Sequence, residues 1–168
     1  NGADSLDMTL EIIVRRVKDA MSTEVCSVYL HNYLNGNLVF SATAGLNSDQ
    51  VGIASLKKGE GLVGLVASRG ETINLESAQN HPSFQLVPGI GEESFKAFLG
   101  VPIMHQRKIL GVLVVQQAAE RRFDENDEAF LITLSAQLAG VIAHAQLSGA
   151  FERQAGSVPE SYTKVNGI

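Results

Sequence analysis

The 168-residue sequence predicts an α+β domain: a largely antiparallel central sheet, the terminal helices on one face, and a short helix and long loop over a pocket on the other. Three observations carry this. Long helical periodicity is confined to the two ends, the β-rich runs fall into two hairpin pairs, and an aperiodic stretch at 76–94 lies between the pairs. One core is expected for a chain of this length with 45% hydrophobic residues.

Leu6, Leu10, Ile13, Val17 and Ala20 recur at spacings of 4, 3, 4 and 3, a heptad seam that predicts a helix from about Ser5 to Met21. Residues 25–30 and 38–43 are β-rich and joined through Asn35-Gly36-Asn37, a turn sequence that permits positive φ, so they predict a hairpin. The stretch 59–68 reads as a short apolar helix ended by Gly70, with a small strand at 72–75 after it. Residues 95–104 and 109–116 read as strands around a short turn at Gln106-Arg107-Lys108. The second is apolar on both faces and is expected at the centre of the sheet. Leu131, Leu134, Leu138, Val141 and Ala145 predict a last helix, capped near Asp124 and running to about Leu147. Residues 1–148 are thus read as the folded domain. Residues 149–168, polar and with Gly156 and Pro159, are read as a linker.

Composition excludes several functions. With 13 Lys and Arg residues and a net charge of −5, no basic stripe is available for a nucleic-acid backbone. No uninterrupted apolar run reaches the ~20 residues of a membrane span, and the start has no export signal, so no membrane partner is expected and a cytoplasmic location is. Cys26 is the lone cysteine, which leaves no internal disulfide and no thiolate cluster for zinc. It lies among Val25, Val28 and Leu30 with no cationic activator nearby in sequence and is read as a buried structural thiol rather than a redox or catalytic one.

At this point the residues resemble a family. Gly59-Glu60-Gly61-Leu62-Val63-Gly64, the Phe-Leu-Gly-Val-Pro-Ile run at 98–103, Gly-Val-Leu-Val-Val at 111–115 and Phe-Asp-Glu at 123–125 resemble a GAF domain, a PAS-related fold. With residues 25–30, Ala44-Gly45-Leu46-Asn47, Asn74-Leu75, His81-Pro82 and 112–117, the resemblance narrows to the N-terminal GAF domains of the nitrogen-related enzymes I of the bacterial phosphotransferase system, and covers about residues 6–145. It implies a non-catalytic regulatory domain ahead of a phosphoenolpyruvate-protein phosphotransferase (a kinase acting on a small phosphocarrier protein), with glutamine and 2-oxoglutarate as candidate signals. The linker would lead to those phosphotransferase domains, and magnesium would belong to them. No cofactor or metal is expected in this domain. None of His31, His81, His105 and His144 lies in the Gly-rich segment where that family carries its phosphohistidine.

The candidate ligand site is the loop and its neighbours. Arg69, Asn74, His81, Gln85, Glu93 and Lys96, with Ser83, Glu92 and Ser94, offer donors and acceptors for an amino or keto acid, and Phe84, Phe95 and Phe98 offer an apolar wall. The bland alternative is ordinary exposed loop residues, with His81-Pro82 a turn. Backbone N–H groups at Gly61 and Leu62 can receive an anion at a helix N-terminus, although the same glycines would also serve tight packing alone. The stretch lacks the Gly-Lys-Ser/Thr ending of a P-loop. Asp124, Glu125, Asp127 and Glu128 suit helix capping better than a metal. Phe123, Asp127 and Glu128 match the later half of the cyclic-nucleotide pattern of GAF domains, but Gln116-Gln117-Ala118-Ala119 stand where its Asn-Lys pair would be. Finally, the seams of the terminal helices, with Leu10, Ile13, Val17, Leu131, Leu134 and Leu138, predict a homodimer through a bundle of four helices. Burial of both seams inside one subunit is the alternative.

Overall fold

Alternation along one strand separates the two cores of this domain. Leu113 and Val115 point to one side of the sheet and Val112 and Val114 to the other, and each pair is buried in a different apolar cluster. That strand is β6 (Lys108–Gln117), and it lies centrally as its sequence predicts, between β1 (Val25–His31) and β5 (Ala97–His105).

The computed structural model describes residues 2–166 in backbone and 5–149 in side chains. The remaining strands are β2 (Asn37–Ala44), β3 (Ser55–Lys57) and β4 (Ile73–Leu75), and the order across the sheet is β3-β2-β1-β6-β5-β4, antiparallel at every pairing. The β1–β2 hairpin turns through Gly36 at φ +75°. The β5–β6 hairpin turns on only two residues, Gln106 and Arg107, both at positive φ (50° and 67°), a backbone that normally selects Asn-Gly. β3 is not anticipated from the sequence: it is three residues long, with only Leu56 buried between two exposed neighbours.

Helices α1 (Gly2–Met21) and α3 (Glu125–Asn166) cover one face. Leu10, Val14 and Val17 of the first and Leu131, Leu138 and Ile142 of the second meet Cys26, Leu99, Val101 and Leu113 of the sheet. α3 begins with a reciprocal cap, Asp127 N–H donating to Asp124 Oδ1 (2.8 Å) and Asp124 N–H to Asp127 Oδ2 (3.0 Å). Arg121 completes it with an ion pair to Asp127 at 3.2 Å while lying 4.6 Å over the Phe123 ring. These acids therefore serve the helix start. The helix does not stop near Leu147. It runs to Asn166, so the segment expected to be an irregular linker is helical in its backbone, and its role as a connection is a separate matter. By length and composition alone, Glu125–Gly149 is also apolar enough to cross a membrane. The buried residues of that stretch are accounted for by packing on the sheet.

The opposite face is covered by α2 (Gly61–Arg69) and the segment between β4 and β5. α2 ends on Gly70 at φ +64°, whose N–H bonds Val66 O. It approaches β3 so closely that a Cβ on Gly64 would lie 2.6 Å from Lys57 O, which explains glycine there by packing.

Candidate functional site

The segment after β4 forms a flap. It carries one 3-10 turn (Ala78–Asn80) and is fastened at few points: Ala78 N–H to Lys96 O, Gln79 Nε2 to Glu93 O, and two bonds from Asn47, through N–H to Ile90 O and Nδ2 to Gly89 O, each 2.9 Å. Gly89 and Gly91, at φ +86° and +87°, let the chain double back, which buries Ile90 and Glu92 and leaves Glu93 in solvent.

Under the flap lies a cavity of about 20 Å³, enclosed by the first turn of α2 (Gly61, Leu62, Val63), Leu56, Ala78, Phe84, Gln85, Val87, Glu92, Phe98 and Gln116. A drug-sized ligand needs ~300 Å³ or more, and one water fills this space. The vacant chamber expected from the sequence is thus closed by its own side chains. Phe84 descends from the flap, Phe98 rises from β5, and Ile90 and Val87 pack into the same cluster.

The polar groups inside are few. Glu92 accepts from Val87 N–H (3.2 Å) and, at a long 3.5 Å, from Gln116 Nε2. Burial pushes its pKa up, against the pull of those two bonds and helped by the Glu93 charge. Tyr29, wholly buried below, is raised well above its ordinary value by desolvation and by Glu92. At the α2 N-terminus Glu60 makes no side-chain cap bond.

Of the residues expected to bind ligand, Phe84, Gln85 and Phe98 line this cavity, as do Gly61 and Leu62. The others do not. Arg69 is exposed at the far end of α2, about 12 Å along the axis from the first turn. Asn74 spends its amide on the backbone of Phe123, Nδ2 donating to the carbonyl (2.7 Å) and Oδ1 accepting from N–H (3.3 Å), and so pins the approach to α3. His81 Nδ1 accepts from Ser83 N–H, which is the turn reading. Glu93 and Lys96 are exposed, and Phe95 is half-buried outside the cavity, its N–H bonding Glu92 O. Sequence reasoning missed Leu56, Val63, Ala78, Val87 and Gln116. Only Gln116 carried a signal, as an amide ending an apolar run at the sheet centre.

Cys26 is fully buried on the helical face, where desolvation drives its thiol pKa far up, so it is a structural thiol. Four of the six residues assigned to a dimer seam, Leu10, Val17, Leu131 and Leu138, belong to the core between helices and sheet. Ile13 and Leu134 are half-buried and line an apolar groove of about 340 Å³ between α1 and α3, with Val17 and Leu138 at its floor and Phe130 and Val141, each 41% exposed, at its edge.

Comparison with known proteins agrees with this architecture. The GAF domain family model matches residues 5–142. A protein of Escherichia coli K12 named for the phosphoenolpyruvate-dependent phosphotransferase system is 46% identical over 149 residues, covering 89% of this chain and 20% of that protein. The chain thus spans about a fifth of the length of the curated relatives it matches. Two crystallised GAF domains of phosphoenolpyruvate-protein phosphotransferases superpose over 86% of this chain and 86% of their own. The one from Coxiella burnetii is 46% identical with a TM-score of 0.82, and the one from Acinetobacter 47% identical with a TM-score of 0.79. The chain belongs to the GAF domain family, in the branch found in phosphoenolpyruvate-protein phosphotransferases.

Proposed function

We propose that this regulatory domain responds to a small nitrogen or carbon metabolite, an amino or keto acid of the glutamine and 2-oxoglutarate type, that enters beneath the flap. The response would control a phosphoenolpyruvate-protein phosphotransferase and, through it, phosphate delivery to a phosphocarrier protein. The observation that carries this reading is the polar interior under a lightly fastened cover: a carboxylate, an amide and an uncapped helix start set among mostly apolar side chains. A core built only for stability has no use for such groups, which lower stability unless fully paired. Since the closed cavity holds one water, a metabolite would act by selecting an outward position of the flap, and its effect would equal its differential affinity for the two positions. Calorimetric titration with L-glutamine and with 2-oxoglutarate tests this. Heat and thermal stabilisation with one of them are expected, and neither with either metabolite would overturn the sensor reading.

A second reading, a ligand-free dimerisation module, is favoured by the same small volume, and its surface would be the groove between α1 and α3. The two readings share the expectation of a homodimer with Ile13, Phe130, Leu134 and Val141 at its centre. Phe130→Asp would convert the dimer to a monomer in sedimentation velocity, with a stability change within about 0.5 kcal/mol because the side chain is substantially exposed. Unchanged sedimentation would remove this surface from consideration.

A further inference from the structure

The two ends of the sheet carry opposite charge. Three registers bring the β1–β2 turn, the β5–β6 turn and the end of β3 to one of them: His31↔Leu38, His105↔Lys108 and Asn37↔Lys57. α2 finishes at the same end, where a Cβ on Gly70 would lie 3.8 Å from Met104 Sδ. Lys57, Lys58, Arg69, Arg107 and Lys108 are exposed on these elements, and none of the ion pairs among the described residues includes them. Glu60 and Glu71 flank α2 but leave the cations in excess. Burial, and after it the charge of Lys58, lowers the pKa of His31, so these cations act on the end of β1 as well. Around the opposite end, where β6 runs out and α3 starts, Glu24, Glu120, Asp124, Glu125 and Asp127 outnumber Arg121 and Arg122. β6, ten residues long, sets the poles about 30 Å apart, several times the ~8–10 Å over which salt screens a charge. A net charge of −5 thus conceals a basic end that meets a partner on its own terms.

Two further features set this end apart. Tyr33 and Leu34, 56% and 96% exposed, crown the β1–β2 turn, and Met104, beside the end of α2, is 40% exposed. The Tyr33 ring is held edge-on to His31 at 5.0 Å. The β5–β6 turn keeps Arg107 at φ +67°, where glycine is unstrained, although its side chain is exposed and belongs to neither core cluster. We infer that this basic end is a docking surface for an acidic protein segment whose carboxylates are interspersed with apolar or aromatic side chains. Exposed apolar residues set among cations, arginine included, have the composition of a protein interface, in which anchors are ringed by polar groups. Tyr33, Leu34 and Met104 interrupt the continuous row of cations that a nucleic-acid backbone engages. A flat anionic bilayer would press on Glu60 and Glu71 together with the cations, whereas a protein segment can pass between them. The inference goes beyond the sensor reading and stands whether or not a metabolite enters beneath the flap.

Fluorescence anisotropy with the 168-residue chain tests it against four labelled probes: a glutamate–tyrosine copolymer, poly-L-glutamate of the same length, a single-stranded oligothymidylate, and vesicles of phosphatidylcholine and phosphatidylglycerol. Saturable binding is expected for the copolymer, tighter than for any other probe and weakened by added salt. Lys57→Glu with Lys58→Glu, and separately Arg107→Glu with Lys108→Glu, are each expected to weaken it by about ten-fold or more. Leu34→Ser is expected to bring the copolymer down toward poly-L-glutamate, and Arg122→Glu, at the opposite end, to change nothing. No saturable binding of the copolymer would overturn the inference, as would full affinity in both charge-reversed variants. Tighter binding of the oligonucleotide or of the vesicles would overturn it in favour of that partner. The substituted side chains are all exposed, so the variants should fold, and should one pair fail to, the other pair and the wild-type ranking of probes decide.

Discussion

The two faces of one sheet are finished in different ways. On the helical side, α1 and α3 lay long side chains against Leu99, Val101 and Leu113, and the buried set there is almost wholly apolar. On the other side a nine-residue helix and a looped flap cover Tyr29, Phe40 and Val112, and the same layer admits Glu92 and Gln116. The contrast separates two duties. Continuous helix-on-sheet packing supplies cohesion, while a cover made of short pieces is the side on which local opening costs less.

Truncations on the two sides should expose the difference most strongly. Ile142→Ala, in the fully buried helical layer, is expected to lower unfolding free energy by about 2–5 kcal/mol in urea titration. Phe84→Ala, on the half-buried flap, is expected to cost less than about 2 kcal/mol despite deleting more atoms, because the cover can settle into the space. Equal losses would mean that the flap is as integral as the helices.

Acid–base behaviour sharpens the same comparison with a smaller effect. Burial raises the pKa of Glu92 above its ordinary value of 4.5, with Glu93 adding to the rise and the bonds from Val87 and Gln116 opposing it. Between 4.5 and that raised value the folded state holds more protons than the unfolded one, so this group's contribution to stability falls as pH rises through the window. Glu92→Gln should therefore be more stable than the parent at pH 7, and the advantage should vanish below pH 4.5 in melts recorded across pH. A variant less stable at pH 7 would show that the two hydrogen bonds outweigh desolvation.

The smallest effect lies at the sheet's end, away from both covers. Replacing Gln106-Arg107 by Asn-Gly relieves two side chains held at positive φ and should stabilise by about 0.5–1 kcal/mol in the same urea assay, without altering ligand heats. It is the control for changes that act through backbone alone.

β1, β2, β5 and β6 are readable from the sequence because each is a β-rich run of seven or more residues, alternately buried in β2 and buried on both faces along most of β1, β5 and β6. The helix seams are readable as seams but not as destinations. A 3-4 repeat is the same whether Leu10 and Leu138 meet a sheet or a neighbouring subunit, and only the contacts of the folded chain place them on the sheet. β3 escapes notice because three residues have no period to detect, and with it goes Leu56 as a cavity wall. Glu92 stands among the loop's polar residues in sequence with nothing to set it above Glu93. The inward turn at Gly91, a matter of one backbone angle, separates the buried carboxylate from the exposed one. The end of α3 is not legible because the residues beyond Gly149 lose the apolar repeat while their backbone stays helical.

The paired bonds between Asn74 and Phe123 bear on how news could cross the molecule. Asn74 sits in β4, the strand from which the flap departs, and Phe123 stands two residues before α3 begins. The root of the cover and the root of the long helix are thus riveted to each other at a common pivot.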